Sequence, residues 1–459
     1  MVTLMETQFQ TTNPFTQKNI QTYEYEKLPD VLIRITEFSI QQKKWSALTL
    51  QQRGAHLKKV AERLRENKMR LAHQMTVEMG KPITQSIAEI EKCATGLDNY
   101  VELTSSLQLE TTLAAHYKKT LLRAEPFGLI FSIQPWNFPF WQVFRMASAA
   151  WMAGNLVVLK HSNITAGCAA LIEEICDIEN LPLVLNVRVN HADAAEIVRA
   201  PEIHMVTLTG STRAGKQIGA VAGEALKKQL FELGGSDAYI VLADCKLDEA
   251  VKNCVKSRMT NSGQSCIAAK RFFIQESIFT EFKEKFLVEL ADYKMGDPNE
   301  EMTRVGPLAA NSFVKGLQEQ LQKATAQGGV FASVKTAVPN EAVFSPMGVL
   351  DFGTDLKAFE TEELFGPVAQ LYKFSNVNDV ISTINAGIYG LGGAVFTEDL
   401  AEARRLAEAM QVGMVAINSA VQSDARAPFG GAKSSGVGRE SGFVGFNEFI
   451  CWKVIGEGN

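Results

Sequence analysis

Short apolar runs that alternate with helical stretches are what limit this chain's choice of fold. NLVVLK at 155–160, VLNVRVN at 184–190 and HMVTLTG at 204–210 follow a β-like run within LLRAEPFGLIFSIQPWN. A second series opens with AYIVLAD beyond Asp237 and includes RFFIQES at 271–277 and AVFTED at 394–399. Strands that are almost wholly apolar belong in a parallel sheet covered on both faces, so each series predicts a doubly wound α/β domain. At 459 residues a single core would exceed the size at which cores divide, which agrees with two or three domains.

Around 48–107, Leu, Ala, Glu, Lys and Gln dominate, with apolar positions three and four apart, and the pattern predicts long amphipathic helices that act as scaffold. Segments 114–124 and 446–455 look like strands outside either series and are expected to pair as an assembly element. The net charge of -5 and pI near 5.9 argue against nucleic acid or an anionic membrane as main partner. The longest apolar run, near 146–159, is broken by Gly154 and Asn155 and is too short to span a bilayer. Seven scattered cysteines, and a start without a basic stretch followed by an apolar run, lead to the expectation of a cytoplasmic protein. No CxxC or HExxH spacing occurs, so no metal site is expected.

Reactive side chains stand beside glycines and small polar residues in several loops. NSGQSC ends in Cys266, where a turn can expose a thiol and neighbouring backbone N–H groups can lower its pKa. Cys168, Cys176 and Cys254 are taken as buried structural cysteines. ELGGSD sets Glu232 just before a Gly-Gly pair that can bend tightly into a cavity, and PWNFPF holds Asn137 between prolines as a rigid donor for a developing oxyanion. TLTGSTRAGKQ runs from a strand through Gly210 and Ser211 into a helix start suited to phosphate. It comes close to the loop of phosphate-binding NTPases, the competing reading from another function class. Gln217, however, stands where that loop needs a magnesium-binding hydroxyl, and the dinucleotide fingerprint GxGxxG is missing.

PWNFP, KHSN after a strand, LTGS, ELGG, the GQSC cysteine, EELFGPV at 362–368 and PFGGAKSSGVGRE at 428–440 occur in the order that resembles the aldehyde dehydrogenase superfamily. Within it the chain is most similar to bacterial succinate-semialdehyde dehydrogenases. The resemblance implies two Rossmann-like domains and a small β oligomerisation element. Its expected ranges are 1–113 and 128–236 for dinucleotide binding, 237–440 for catalysis, and 114–127 with 441–459 for assembly as a homodimer or homotetramer.

It also implies Cys266 as nucleophile, Glu232 as general base and Asn137 as oxyanion donor. NADP or NAD would lie on Gly210 and Ser211 at the pyrophosphate, on Lys160, His161, Ser162 and Asn163 with Lys160 at the adenosine ribose, and on Glu363 at the nicotinamide ribose. Trp136, Leu233 and Phe365 would line the nicotinamide pocket. Asn163 replaces the glutamate of NAD-selective members, which tilts the expectation toward NADP with dual use. Arg145 matches an arginine that holds a substrate carboxylate, Thr260 replaces its second partner, and Arg426 is expected to compensate. The expected substrate is therefore succinate semialdehyde, with glutarate semialdehyde or a neutral aliphatic aldehyde as alternatives.

Overall fold

Five parallel strands, Leu129–Gln134, Leu156–His161, Val184–Asn186, Ile203–Thr209 and Lys228–Glu232, build the first sheet of a computed structural model that describes residues 7–334 and 343–458. Residues 1–6, 335–342 and 459, which fall inside the expected domain ranges, lie outside the described residues. Only Val184–Asn186 of the expected 184–190 run is strand. Across the sheet the order is Lys228–Glu232, Ile203–Thr209, Leu129–Gln134, Leu156–His161, Val184–Asn186. Chain direction across the sheet therefore reverses between Leu129–Gln134 and Ile203–Thr209. The loops leaving those neighbours diverge and open a crevice, which is where doubly wound sheets take ligands. Pro135-Trp136-Asn137 forms one lip and Gly210-Ser211 the other.

The second sheet has seven strands in the order Val330–Ser333, Gly348–Asp351, Val368–Phe374, Arg271–Gln275, Ala238–Val241, Gly392–Phe396, Met414–Ile417, and only Val330–Ser333 runs antiparallel to its neighbour. Ala238, Ile240 and Phe273 enter the core on one face, while Tyr239, Val241, Phe272 and Ile274 enter the core on the other. Two buried faces explain why Ala238–Val241 and the middle of Arg271–Gln275 are apolar at consecutive positions.

The scaffold helices are Leu50–Glu66, Lys68–Met79 and Ile83–Thr104. A capping box between Thr49 and Gln52 starts the first of them, and Gly80 (φ 76°) followed by Pro82 ends the run before the last. Glu110–Leu113, Lys119–Pro126 and Ile450–Glu457 form a separate antiparallel sheet. Its outer strand begins at Glu110, ahead of the expected range, and Gly442–Glu448 in the expected tail strand is helical. Gly436–Val437, placed by sequence in the catalytic range, pairs with Lys228–Glu232 of the first sheet. No helix among the described residues is long and apolar enough to cross a membrane.

The five residues 233–237 lead from the carboxyl end of Lys228–Glu232 directly to the amino end of Ala238–Val241. The carboxyl edge of the first sheet thus faces the amino edge of the second. Between them lies the loop ahead of Arg271–Gln275, where Asn261, Ser262 and Gly263 are all left-handed, with φ of 54°, 56° and 78°. Such backbone persists only where its surroundings hold it. Ser262 Oγ accepts from the Gly306 N–H at 3.0 Å, the Asn261 N–H donates to Gln85 Oε1 at 2.9 Å, and a Cβ on Gly263 would meet the Gly366 carbonyl at 2.2 Å. Gly263→Ala is expected to lower unfolding stability by about 3 kcal/mol or more, measured by denaturant titration. An unchanged midpoint would contradict this packing.

Candidate active site

Cys266 sits where two cavities meet. One, about 220 Å³, is bounded by Trp136, Asn137, Gly210, Ser211, Glu232, Leu233, Cys266, Glu363 and Phe365, so it brings nine of the expected residues into a single space at the crevice of the first sheet. The other, also about 220 Å³, has Phe138, Trp141, Arg145, Thr260, Cys266 and Phe429 in its wall. Only Cys266 and Gln142 face both. Cys168, Cys176 and Cys254 are buried among core side chains.

Hydrogen bonds between loops set the geometry. Asn137 Nδ2 donates to the Gln264 carbonyl at 3.0 Å, and its Oδ1 accepts from Gln142 Nε2 at 3.0 Å. That leaves the second amide N–H of Asn137 for the cavity. Asn261 Nδ2 reaches both the Asn137 carbonyl, 2.7 Å, and the Gln264 carbonyl, 3.1 Å, while Gln264 Oε1 accepts from the Ala309 N–H at 3.0 Å. The Gly-Gly pair after Glu232 works through close approach rather than a left-handed bend: neither glycine has positive φ, and a Cβ on Gly235 would lie 2.9 Å from the Cys266 carbonyl.

Charge around the thiol differs from the expectation. Burial pushes the Cys266 thiol up to about 11, against the pull of Arg145 and Lys270 and with a further push from Glu232 and Glu363. The lowering anticipated from backbone N–H groups does not occur, because loss of solvation outweighs the cations. Burial and the neighbouring Glu440 also raise the Glu232 carboxyl well above the usual carboxylate range, opposed by Arg145 and Arg439. Both Glu232 oxygens are buried without a hydrogen-bond partner.

On the crevice side, Ser211 Oγ caps the helix Thr212–Glu224 by accepting from the Ala214 N–H at 3.2 Å. Trp136 stacks on Phe313 with ring centroids 4.8 Å apart and meets Phe365 edge-on at 5.9 Å. The KHSN stretch ends the neighbouring strand, and its Ser162 N–H donates to the carbonyl of Gln134, the residue just before PWNFP, at 2.9 Å. The expected cofactor role of the His161 side chain is corrected: Nε2 is engaged with the Pro139 carbonyl at 3.0 Å and Nδ1 accepts from the Ser162 N–H and Thr165 Oγ1, so the ring braces two loops. Asn163 Nδ2 donates to Tyr25 Oη at 2.6 Å. Lys160 is buried, makes no ion pair among the described residues, and is lowered by burial to about 8. Lys216, the residue that suggested an NTPase loop, is exposed on its helix and borders neither cavity.

The two arginines part company. Arg145 is buried, pairs through Nε with Glu440, lies with its guanidinium 4.0 Å from the Phe429 ring centre, and keeps Nη2 unpartnered. Arg426, expected to compensate for the missing clamp, is instead exposed and doubly bonded to Asp424 at 2.9 and 2.7 Å. Its neighbour Asp424 is close enough in sequence to capture the guanidinium before it reaches the cavity.

Sequence reasoning missed Lys270. Wholly buried, it donates to the Ser265 and Cys266 carbonyls at 2.8 and 2.5 Å and lies 3.3 Å from Glu363 Oε1, which also accepts from the Gly235 N–H at 3.2 Å. A lysine just before an apolar strand was the available signal. Glu440, Gln142 and Gln264 had none, since each matters through a partner distant in sequence.

The model of the aldehyde dehydrogenase family matches residues 2–455 of this chain. The NADP(+) succinate-semialdehyde dehydrogenase of Deinococcus radiodurans is 35% identical over 453 residues, covering 98% of this chain and 95% of that protein. Succinate semialdehyde dehydrogenase NAD(P)+ Sad of Escherichia coli is 38% identical over 415 residues, covering 90% and 89%. Among solved structures, succinic semialdehyde dehydrogenase from Streptococcus pyogenes in complex with NADP+ aligns with a TM-score of 0.92 at 31% identity, over 98% of this chain and all of that one (100%).

The raised thiol makes a chemical prediction. Alkylation of Cys266 by iodoacetamide, followed by peptide mass mapping, is expected to accelerate roughly tenfold per pH unit and to be still climbing past about 8.5, in keeping with a thiol at about 11. A plateau in the ordinary thiol range would overturn the electrostatics described.

Proposed function

The chain belongs to the aldehyde dehydrogenase family, and from that premise we propose that it oxidises succinate semialdehyde to succinate with Cys266 as nucleophile and NADP or NAD as hydride acceptor. The observation that carries this reading is the thiol at the junction of two cavities, with Asn137 and Glu232 on the crevice side and a buried arginine on the other.

The residues of the crevice suit a dinucleotide. Trp136, Leu233 and Phe365 offer an apolar wall to a flat ring, Gly210 and Ser211 stand at a helix N-terminus that favours pyrophosphate, and Glu363 lies close by for a ribose hydroxyl. Lys160 has a positive charge without an acidic partner, and Asn163 beside it brings no negative charge, a combination that accommodates a 2′-phosphate. When bound, the oxidised nicotinamide supplies the hydride acceptor.

The chain's own groups do the rest. Glu232, with neither oxygen engaged, takes the thiol proton, and Sγ of Cys266 bonds to the aldehyde carbon. The oxyanion is held by the free Asn137 amide N–H and the Cys266 backbone N–H, donors fixed beforehand by the Gln264 and Gln142 contacts. Loss of hydride leaves a thioester on Cys266. Glu232 releases the thiol proton to solvent, then takes a proton from water as the hydroxide attacks the thioester carbon, and the carbon–sulfur bond breaks to free the acid, with the proton on Glu232 restoring the thiol. Because Glu232 is raised above the ordinary carboxylate range, kcat rises with pH through a limb displaced upward.

A neutral aliphatic aldehyde is the second reading, favoured by one observation: the charge of Arg145 is already matched by Glu440, and the cavity wall carries Phe138, Trp141, Val421 and Phe429. Following reduced cofactor by absorbance, with succinate semialdehyde, glutarate semialdehyde and the uncharged four-carbon aldehyde, decides between them. The acid is expected to win, and equal kcat/KM for the charged and uncharged four-carbon substrates would reject the proposal. With the preferred aldehyde, Asn137→Ala is expected to lower kcat by roughly a hundredfold, about 3 kcal/mol of oxyanion stabilisation. Asn163→Glu is expected to raise KM for NADP about tenfold or more through repulsion of the 2′-phosphate, with KM for NAD less affected. Equal shifts for the two cofactors would remove Asn163 from the selection.

A further inference from the structure

The substrate-side cavity is short of net positive charge if only arginines are considered. Arg145 is neutralised by Glu440, with side chains 4% and 1% exposed. Arg426 is turned to Asp424, and Thr260 is uncharged. Lys256, from the helix Leu247–Met259, borders the cavity but is an exposed residue.

One further cation enters the cavity wall from the scaffold. Lys92, half-buried on the helix Ile83–Thr104, reaches the same cavity as Arg145 and Cys266 and makes no ion pair among the described residues. Its Nζ donates to Ser423 Oγ at 2.7 Å and lies 4.3 Å from the Trp141 ring centre, while Trp141 Nε1 donates to the same Oγ at 3.1 Å. Ser423 Oγ, accepting twice, has its own O–H to give, and Lys92 has two N–H bonds left. Together with the unpartnered Arg145 Nη2, these make three donor groups around one cavity, of which Lys92 brings a charge that no carboxylate pairs with among the described residues. Acidic groups near it are committed elsewhere: Glu89 on its own helix pairs with Lys81, and Asp424 pairs with Arg426. An ammonium withdrawn from water without a counter-ion is unfavourable, and an anionic ligand relieves that cost.

Resting on the acidic-semialdehyde reading, we infer that Lys92, with Ser423 as its relay, is the specificity-determining cation that holds the distal carboxylate of the substrate. Arg145 adds hydrogen bonds without net charge. Burial and the like charge of Arg145 lower Lys92 to about 8, against Cys93, Glu89 and Asp424, which raise it. The group is therefore charged below that pH and neutral above it, so preference for the acid fades as pH rises.

The test uses the full-length enzyme, the ratio of kcat/KM for succinate semialdehyde to that for the uncharged four-carbon aldehyde, and the variants Lys92→Met, Lys92→Gln and Lys92→Arg. The ratio is expected to fall about tenfold or more in the Met and Gln variants, mainly through KM of the acid, and to stay within about threefold in Lys92→Arg, which keeps the charge. In the wild type the ratio falls as pH rises through about 8, and in Lys92→Met it is flat. Cys266 and Glu232 act on both aldehydes alike and cancel from the ratio. A wild-type ratio indifferent to pH, or Met and Gln variants that keep the wild-type ratio, overturns the role of Lys92. A wild type with no acid preference at all sinks the substrate reading beneath it. If the substituted chains do not fold, the wild-type pH profile decides alone.

Discussion

The Gln264 carbonyl is the point on which the site hangs. It accepts from Asn137 Nδ2 and Asn261 Nδ2 at 3.0 and 3.1 Å, one donor from the loop that leaves the first sheet and one from the loop that enters the second. With the Gln142 contact to Asn137 Oδ1, that shared acceptor fixes the Asn137 amide. The three left-handed residues at 261–263 supply the bend that brings this carbonyl round, and Gly263 passes the Gly366 carbonyl where no side chain fits. A strained loop is thus held by contacts on several sides, which is how pre-organised donors cost nothing at the moment of reaction.

Burial, not backbone dipoles, governs the electrostatics. Both the thiol and the carboxyl that accompanies it are raised, because burial disfavours the charged form of each. Three cations lie around it, each engaged differently. Lys270 supports the carbonyls of Ser265 and Cys266 and joins them to Glu363 on the crevice side. Arg145 is balanced by Glu440, and Lys92 makes no ion pair among the described residues, Glu89 and Asp424 near it being paired elsewhere. The charges of Arg145 and Lys270 are paired with carboxylates, while Lys92 lines the same cavity as Cys266 without an ion pair among the described residues.

Much of the fold was legible because almost wholly apolar strands have few places to go. The strands 155–160 and 204–210 and those opening the second series appear nearly where the pattern put them. Boundaries were less legible. Gly436–Val437 returns to the first sheet because Lys228–Glu232 offers an open edge, a fact about the folded edge and not about those two residues. At the site, Asn137, Glu232 and Cys266 stood out because each is a reactive group between glycines, prolines or small polar residues. His161 was misjudged since the same ring can brace a loop or face a ligand, and only the Pro139 and Thr165 contacts tell which. Arg426 was misjudged because a side chain's direction depends on its nearest competitor, here Asp424 two residues away.

By itself the sequence determined the doubly wound sheets, the order of the motifs and which loops carry reactive side chains, since periodicity and residue chemistry are local properties. Tertiary structure alone decided the pKa shifts, the pairing of Arg145 with Glu440 and the presence of Lys92 and Lys270 around the thiol. Those depend on desolvation and on distances between segments hundreds of residues apart. No local pattern encodes how much water a packed interior excludes.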